Sequence, residues 1–295
     1  MNLLGFGGAT KRTDNSRAVV TGAGSGIGRA FALELAQRGG QVVCSDIDPG
    51  RAKETVELIE AGDGDAMAHT CDVSDQSQVE GLADAAEAWF DGPADLVVNN
   101  AGVGIGGAPV GGIPLEDWRW ALGVNLWGVV HGCHVFAPRL RQLGRGGIIN
   151  VGSTASFAAA PGMGPYNGSK AAVLALSETL AAELSGTGVT VSVLCPTFVK
   201  TNVARDGRIS GPSADLADRL MRWTGMSADK VAKSTLDAHD RGRLYVIPQW
   251  DARLIWQLKR HAPIPYTRGL GLLNRLTGLT TEPSSTETVP ANLGG

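Results

Sequence analysis

The chain has 295 residues, 43% of them hydrophobic, and a formal net charge of −3. That supplies one large α/β core, and so small a charge, with no basic cluster carrying interleaved aromatics, excludes a nucleic-acid binder. The 41 glycines exceed the usual share of about 7%, follow no collagen-like period, and gather where strands end, as tight turns against a ligand require.

Cys44, Cys71, Cys133 and Cys195 stand singly in apolar settings, without the short spacing of zinc sites. They read as buried thiols of a reducing compartment, and no metal is expected. The N-terminus does not have the order of a secretory signal, and no apolar run approaches the roughly 18 residues of a membrane span. A cytoplasmic location is the resulting expectation.

From Arg17 onward, short β-branched runs alternate with helical periods. Ala18–Val20 predicts a first strand, followed by a glycine turn and a helix with Ile27, Phe31 and Leu35 at four-residue spacing. Further strands are expected at 41–45, 66–70, 95–99, 147–151, 189–194 and 244–247. Apolar strands separated by helices predict a single α/β domain, a doubly wound parallel sheet of about seven strands. Such a sheet binds ligands outside the carboxyl ends of its strands. Residues 1–16 are expected as a flexible tail, 17–250 as the catalytic domain, and 251–295 as a partly disordered extension. The mixed stretch from Asn202 to about Gly225 sits where a lid over a cleft would be.

Thr21-Gly-Ala-Gly-Ser-Gly-Ile-Gly28 follows the first strand and opens the first helix. Gly22, Gly26 and Gly28 allow a tight turn, and with Ser25 and Ile27 they would bring a cofactor's diphosphate to the helix N-terminus, whose free N–H groups and dipole favour anions. Asp46 lies 18 residues beyond Gly28, at the end of the second strand. A carboxylate there accepts from adenosine ribose hydroxyls and repels a 2′-phosphate. The neighbouring positions hold Ser25 and Ile47 rather than a cation, so NAD is preferred over NADP. The competing use of Asp46 is to cap the turn through Asp48-Pro49.

Tyr166 and Lys170, four apart at the head of a helical run, share one face. A free tyrosine is a poor base at neutral pH; closing a gap of about three pKa units takes roughly 4 kcal/mol. A neighbouring ammonium, helped by an oxidised nicotinamide ring, favours the phenolate. Ser153, 13 residues earlier and just past a strand, could hold the substrate oxygen while Tyr166 exchanges the proton. Asn125 is a polar residue in an apolar helix, read either as a satisfied core asparagine or as the anchor of a water chain toward Lys170.

Together, TGAGSGIG, Asp46, Cys-Asp72-Val73, Asn99-Asn-Ala-Gly102, Asn125, Ser153 and Tyr-Asn-Gly-Ser-Lys resemble the short-chain dehydrogenase/reductase family from about Arg17 to Ile247. The resemblance implies a Rossmann-type fold and a catalytic tetrad of Asn125, Ser153, Tyr166 and Lys170, with Lys170 also on the nicotinamide ribose. It further implies Asp72 and Val73 at the adenine, Asn99 near its ribose, and Thr201 with the Val199 backbone at the carboxamide. The family's Pro-Gly after the sixth strand is here Pro196-Thr197, and the extension past Ile247 is longer than the family's usual ending.

His131 and His134 read as structural rather than metal-binding, on a helix that the resemblance places against a neighbouring subunit. Trp118, Trp120 and Trp127 are read as packing residues. Trp250–Pro263 is aromatic and basic; a lid or subunit contact is preferred over a membrane-surface helix. The function expected is NAD-linked interconversion of a secondary alcohol and a ketone, oxidation favoured, in a homodimer or homotetramer. The alternatives are an NADP-linked ketone reductase and a non-catalytic NAD-binding sensor. Apolar residues at Phe157, Met163, Phe198, Met221 and Trp223 suggest a hydrophobic small-molecule substrate.

Overall fold

In a computed structural model, which describes residues 11–199, 207–209 and 225–278, the strands run in chain order β1 (Arg17–Thr21), β2 (Gln41–Asp46), β3 (Asp65–Thr70), β4 (Leu96–Asn99), β5 (Ile105–Gly106), β6 (Gly146–Val151), β7 (Val189–Leu194), β8 (Arg208–Ile209) and β9 (Tyr245–Val246). Seven form one sheet in the order β3-β2-β1-β4-β6-β7-β9, with every pairing parallel. The two-residue β5 and β8 pair separately. The expected seven-stranded doubly wound sheet is therefore present.

The apolar strands are explained by burial on both faces, since successive side chains alternate across the sheet. Val19, Val43, Val97, Ile148 and Val191 share a core with α3 (Gln76–Phe90), α5 (Gly128–Leu143) and α7 (Gly164–Glu183). Their neighbours Val20, Val42, Val98 and Ile149 face the other core, with α1 (Gly26–Gln37), α2 (Pro49–Glu60) and α8 (Ala228–Asp240). Burying each such side chain is worth about 1.5–3 kcal/mol, so neither layer of helices is dispensable. Asp48 caps α2 by accepting from the Gly50 and Arg51 N–H groups, Asp75 caps α3, and Ser227 caps α8.

The chain reverses its direction of travel across the sheet between β1 and β4. At such a switch point the connections leave toward opposite faces and open a crevice at the carboxyl edge. A buried polar ladder fixes the strands behind it: Asn99 Nδ2 donates to Asn150 Oδ1 (2.8 Å), and Asn150 Nδ2 to Ser177 Oγ (3.0 Å).

Two findings differ from the sequence expectation. Residues 11–16 are fastened down: the buried Thr13 donates through Oγ1 and N to the Asp240 carboxylate (2.8 and 3.0 Å), which also pairs with Arg38. The long helix around Asn125 is α4 (Leu115–Leu122) and α5 joined by a π turn over Gly123–Trp127. Residues 279–295 lie outside the described residues, and with them the disorder-like tail 281–295 of the extension.

His239 on α8 is fully buried, its Nδ1 2.8 Å from Ser192 Oγ and its Nε2 without a partner. Burial, assisted by the Arg12 charge, holds its pKa down to about 3. The native state therefore keeps the ring neutral, while the unfolded chain takes a proton below about pH 6.5. This contribution to stability is complete above pH 6.5 and is lost as the pH falls from there toward 3. Between pH 6.5 and 4.5 it amounts to roughly 2–3 kcal/mol, at 1.36 kcal/mol per unit. Urea unfolding of His239→Gln should show a correspondingly flatter acid limb than wild type, whatever its stability at pH 7.5; parallel limbs would remove His239 from the account.

Candidate active site

The crevice is built first by the turn after β1. Gly22 has φ +64° and Gly26 φ +54°, both left-handed. A side chain on Gly28 would run into the Gly22 carbonyl and Asn100 Nδ2. This close approach lets Asn100 Nδ2 donate to the Thr21 and Gly22 carbonyls (2.9 and 3.2 Å) while its N–H donates to Thr21 Oγ1 (3.0 Å). The end of β4 is thereby tied to the turn. Ser25 is the N-cap of α1 but makes no side-chain capping bond, so the first N–H groups of the helix, at Ile27 and Gly28, remain available to an anion.

Asp46 stands beside this turn at the end of β2. Its Oδ2 accepts from Gly24 N–H (2.9 Å) and its Oδ1 from Asp48 N–H (3.0 Å). The helix cap that competed for Asp46 belongs to Asp48. Arg51, which the sequence reading passed over, has its Cβ against Gly24, and its guanidinium pairs with Asp48 (3.4 Å). The signal for it was the first turn of α2 directly after Asp46.

Asp72 is partly exposed just past β3, its Oδ1 accepting from Ser74 N–H and hydroxyl (2.9 and 2.7 Å). Val73 is buried against Gly128. The Asn99 side chain does not reach the crevice: it is buried in the ladder with Asn150 and lies against Gly132. The ribose contact implied at Asn99 is thus unavailable to its side chain. Thr201, Met221, Trp223 and most of the expected lid lie outside the described residues, and Val199 is buried in a bridge with Met226.

Ser153, Tyr166 and Lys170 come together beyond β6. The Ser153 hydroxyl lies near enough to the Tyr166 phenol to favour its ionised form and accepts from Ala155 N–H (3.1 Å). Lys170 Nζ lies 5.9 Å from the Tyr166 ring centroid and donates to the Val151 carbonyl (2.8 Å). Burial lowers the Lys170 pKa to about 8. It also raises Tyr166, with the Ser153 hydroxyl acting in the opposite direction. The lowered phenol expected from the sequence is thus not set by the protein's own groups, because desolvation outweighs them. Asn125 is fully buried at the π turn, its Oδ1 accepting from Val103 N–H (2.7 Å) and its Nδ2 donating to the Val103 carbonyl (2.9 Å). A side chain on Gly102 would sit between Asn125 Oδ1 and Lys170 Nζ, so the four residues of the expected tetrad do gather around one space.

A model of the short chain dehydrogenase family matches residues 16–209. The chain belongs to the short-chain dehydrogenase family, a family of oxidoreductases. It is 38% identical over 240 residues to 1-deoxy-11-beta-hydroxypentalenate dehydrogenase of Streptomyces avermitilis, covering 81% of this chain and 86% of that one. It is also 39% identical over 229 residues to the probable oxidoreductase EphD of Mycobacterium tuberculosis, covering 74% of this chain but only 38% of EphD. Among solved structures, a short chain dehydrogenase/reductase from Burkholderia phymatum in complex with NAD superposes with a TM-score of 0.76 at 34% identity, covering 94% of this chain and 99% of that one.

The residue that departs from the family's pattern, Thr197, is engaged by the C-terminal extension. Its N–H donates to Gln249 Oε1 (3.2 Å) and its hydroxyl to Asp251 Oδ1 (3.3 Å) at the start of α9 (Trp250–His261). Phe157, at α6 (Ala155–Ala158), packs edge-on against Trp256 of α9 (4.8 Å). It therefore serves the core beneath the extension rather than lining a cleft. Met163 lies against Gly106, while Trp118 and Trp120 pack with Tyr166 around Ile105 and Ile113. Trp127 is 54% exposed and packs within the chain against the His131 ring (centroids 5.8 Å apart). His131 Nδ1 donates to the Val73 carbonyl (2.9 Å), and among the described residues no cluster of three or more His, Cys, Asp or Glu could hold a metal.

The turn yields a paired test. Gly28→Ala should destabilise the protein by about 1–3 kcal/mol, because the methyl group meets backbone that cannot yield. Gly81→Ala on α3, where nothing lies within 4 Å, should stabilise it by about 0.5–1 kcal/mol. Thermal melts of the two variants that shift in the same direction would contradict this reading of Gly28.

Proposed function

We propose that the protein interconverts a secondary alcohol and a ketone by hydride transfer to or from NAD, with Tyr166 as general acid and base. The observation that carries this reading is the gathering of the Ser153 hydroxyl, the Tyr166 phenol and the Lys170 ammonium at the carboxyl edge of the sheet beyond the glycine turn. The uncapped N-terminus of α1 and the carboxylate of Asp46 suit a dinucleotide's diphosphate and ribose. The solved relative bound to NAD supports the same choice. When bound, the dinucleotide supplies the hydride acceptor or donor and, oxidised, a cationic ring.

In this reading Ser153 holds the substrate oxygen by hydrogen bond, which aims it at Tyr166 Oη. In reduction the phenol already carries the proton it must give, since burial keeps it protonated. In oxidation the phenol would first lose its proton to solvent, and the nearby ammonium would stabilise the phenolate, which then takes the hydroxyl proton of the alcohol. Lys170 would also hold the nicotinamide ribose. Both ends of the Asn125 amide are engaged by Val103, so any water relay there runs through its main chain. Gly22, Ser25, Gly26, Ile27 and Gly28 would meet the diphosphate, and the end of β3 at Asp72 and Val73 the adenine. A small apolar alcohol or ketone as substrate, a homo-oligomeric assembly and a cytoplasmic location complete the proposal. The pentalenate relative and the four buried free cysteines support its first and last parts.

Two experiments test it. Tyr166→Phe should abolish turnover while leaving NADH binding within a few fold, because it removes a proton carrier and little surface; a tenth of wild-type activity surviving would refute the assignment. Asp46→Ala should weaken NAD use by roughly 10- to 150-fold, the value of a charge-assisted bond of about 1.5–3 kcal/mol, while NADP use holds or rises. Adding Ile47→Arg, at a position 66% exposed, should move the preference further toward NADP. The ratio of kcat/KM for the two cofactors reads both effects. A wild type that already prefers NADP would point instead to Arg51 as the phosphate partner.

A further inference from the structure

The two C-terminal helices present an apolar face that the chain itself leaves uncovered. Of the thirteen large hydrophobic residues exposed among the described residues, seven lie on α9 and α10 (Pro263–Thr277). That concentration on so short a segment is not the scatter of single apolar residues normal at a surface. On α9, Trp250, Leu254 and Leu258 recur every four residues and share one side. The opposite side of that helix, with the buried Ala252 and with Ile255 and Trp256, packs on Phe157 and Val193.

No residue of α10 is buried. It is held by one side: Tyr266 Oη donates to the Ala158 carbonyl (2.9 Å), and Lys259 of α9 lies over the Tyr266 ring. Ile264, Arg268 and Leu272 recur every four residues along a different side, which Arg275 and Leu276, three and four residues beyond Leu272, continue. There Ile264 is 63% and Leu276 76% exposed.

Charge identifies what would cover this face. The helices carry five basic residues, Arg253, Lys259, Arg260, Arg268 and Arg275, against one acid, in a chain whose net charge is −3. That one acid, Asp251, accepts from Thr197 on the inner side. A second copy docked through the same face would bring Arg268 and Arg275 against their like, with no carboxylate on α10 to pair them. Apolar side chains interleaved with arginines, on a helix lying along the surface rather than crossing, match an interface of acyl chains and anionic headgroups. No described helix is long and apolar enough to cross a membrane. Charge thus favours a lipid surface over the subunit contact preferred from the sequence.

We propose that α9 and α10 dock this protein peripherally on an anionic lipid surface, with Ile264, Leu272 and Leu276 in the acyl boundary and Arg268 and Arg275 at the headgroups. This places lipid next to α6, the turn that follows Ser153, but it does not rest on the catalytic reading.

The test is co-sedimentation of the full chain with phosphatidylcholine vesicles, with and without phosphatidylglycerol. Wild type should pellet with the anionic vesicles and be released by high salt. Arg268→Glu/Arg275→Glu should lower the partition coefficient about thirtyfold or more. Leu272→Glu/Leu276→Glu should abolish pelleting with its thermal melt unchanged, since neither side chain is buried. Wild type staying in the supernatant with anionic vesicles would overturn the proposal. So would light scattering in which Leu272→Glu/Leu276→Glu converts a larger assembly into a smaller one, because the face would then be a subunit contact.

Discussion

The first helix can point its N-terminus at the edge of the sheet only because the chain folds back on itself without side chains. At Gly28 a methyl group would collide with the carbonyl of Gly22 and with Asn100. The turn between them therefore closes to a separation that no other residue tolerates. Asn100 then donates to both carbonyls of the turn, which joins β1 to β4 across the switch point. With those two strand ends fixed, Gly24 N–H meets Asp46, and β2 is registered to the same turn. The dinucleotide end of the crevice thus depends on one steric condition, and the remaining contacts exploit it.

The other end is governed by desolvation. Lys170 and Tyr166 sit where burial works against the charged form of each, pulling the lysine down to about 8 and pushing the tyrosine up. The Val151 carbonyl satisfies one ammonium proton, but no described carboxylate pairs with Nζ. Such a pair resists ionising on its own and responds strongly to any further charge brought beside it, because the same low dielectric that penalises charge magnifies charge–charge interaction. Proton transfer at Tyr166 would then be coupled to whether a cationic ring is present, which is the coupling a hydride-transfer site needs.

Much of this was legible in the chain. Strands buried on both faces read as unbroken β-branched runs, so Val19, Val97 and Ile148 announced the sheet. The glycine turn, Asp46 and the Tyr166–Lys170 spacing are local patterns that survive folding unchanged. What failed to show depends on partners distant in sequence. The π turn at Gly123–Trp127 keeps the same apolar residues as an α-helix and differs only in hydrogen-bond register, which periodicity does not report. Asn99 and Asn100 are adjacent and identical in type, yet the alternation of a strand end sends the first into the core ladder and the second to the turn. Thr13 looked like part of a loose end because its partner, Asp240, lies 227 residues away. Spacing reveals the ammonium beside Tyr166 but not the burial around it, which in the chain alone pushes the phenol pKa up.

The unfamiliar residue Thr197 and the unusual extension turn out to be one feature. A glycine after Pro196 would leave this segment held only by backbone. Here the hydroxyl of Thr197 reaches Asp251, and Gln249 accepts from the Thr197 N–H and donates to the Phe198 carbonyl. The segment leading to the expected carboxamide contacts at Val199 and Thr201 is thus clamped by the start of α9. Tyr266, in the first turn of α10, holds Ala158, five residues past Ser153. The helix pair is therefore joined to the walls of the crevice at two places, at Thr197 and at Ala158, through hydrogen bonds to backbone or to a small polar side chain. An extension that merely filled space would require neither, and threonine in place of glycine adds to the first of them the hydroxyl that donates to Asp251.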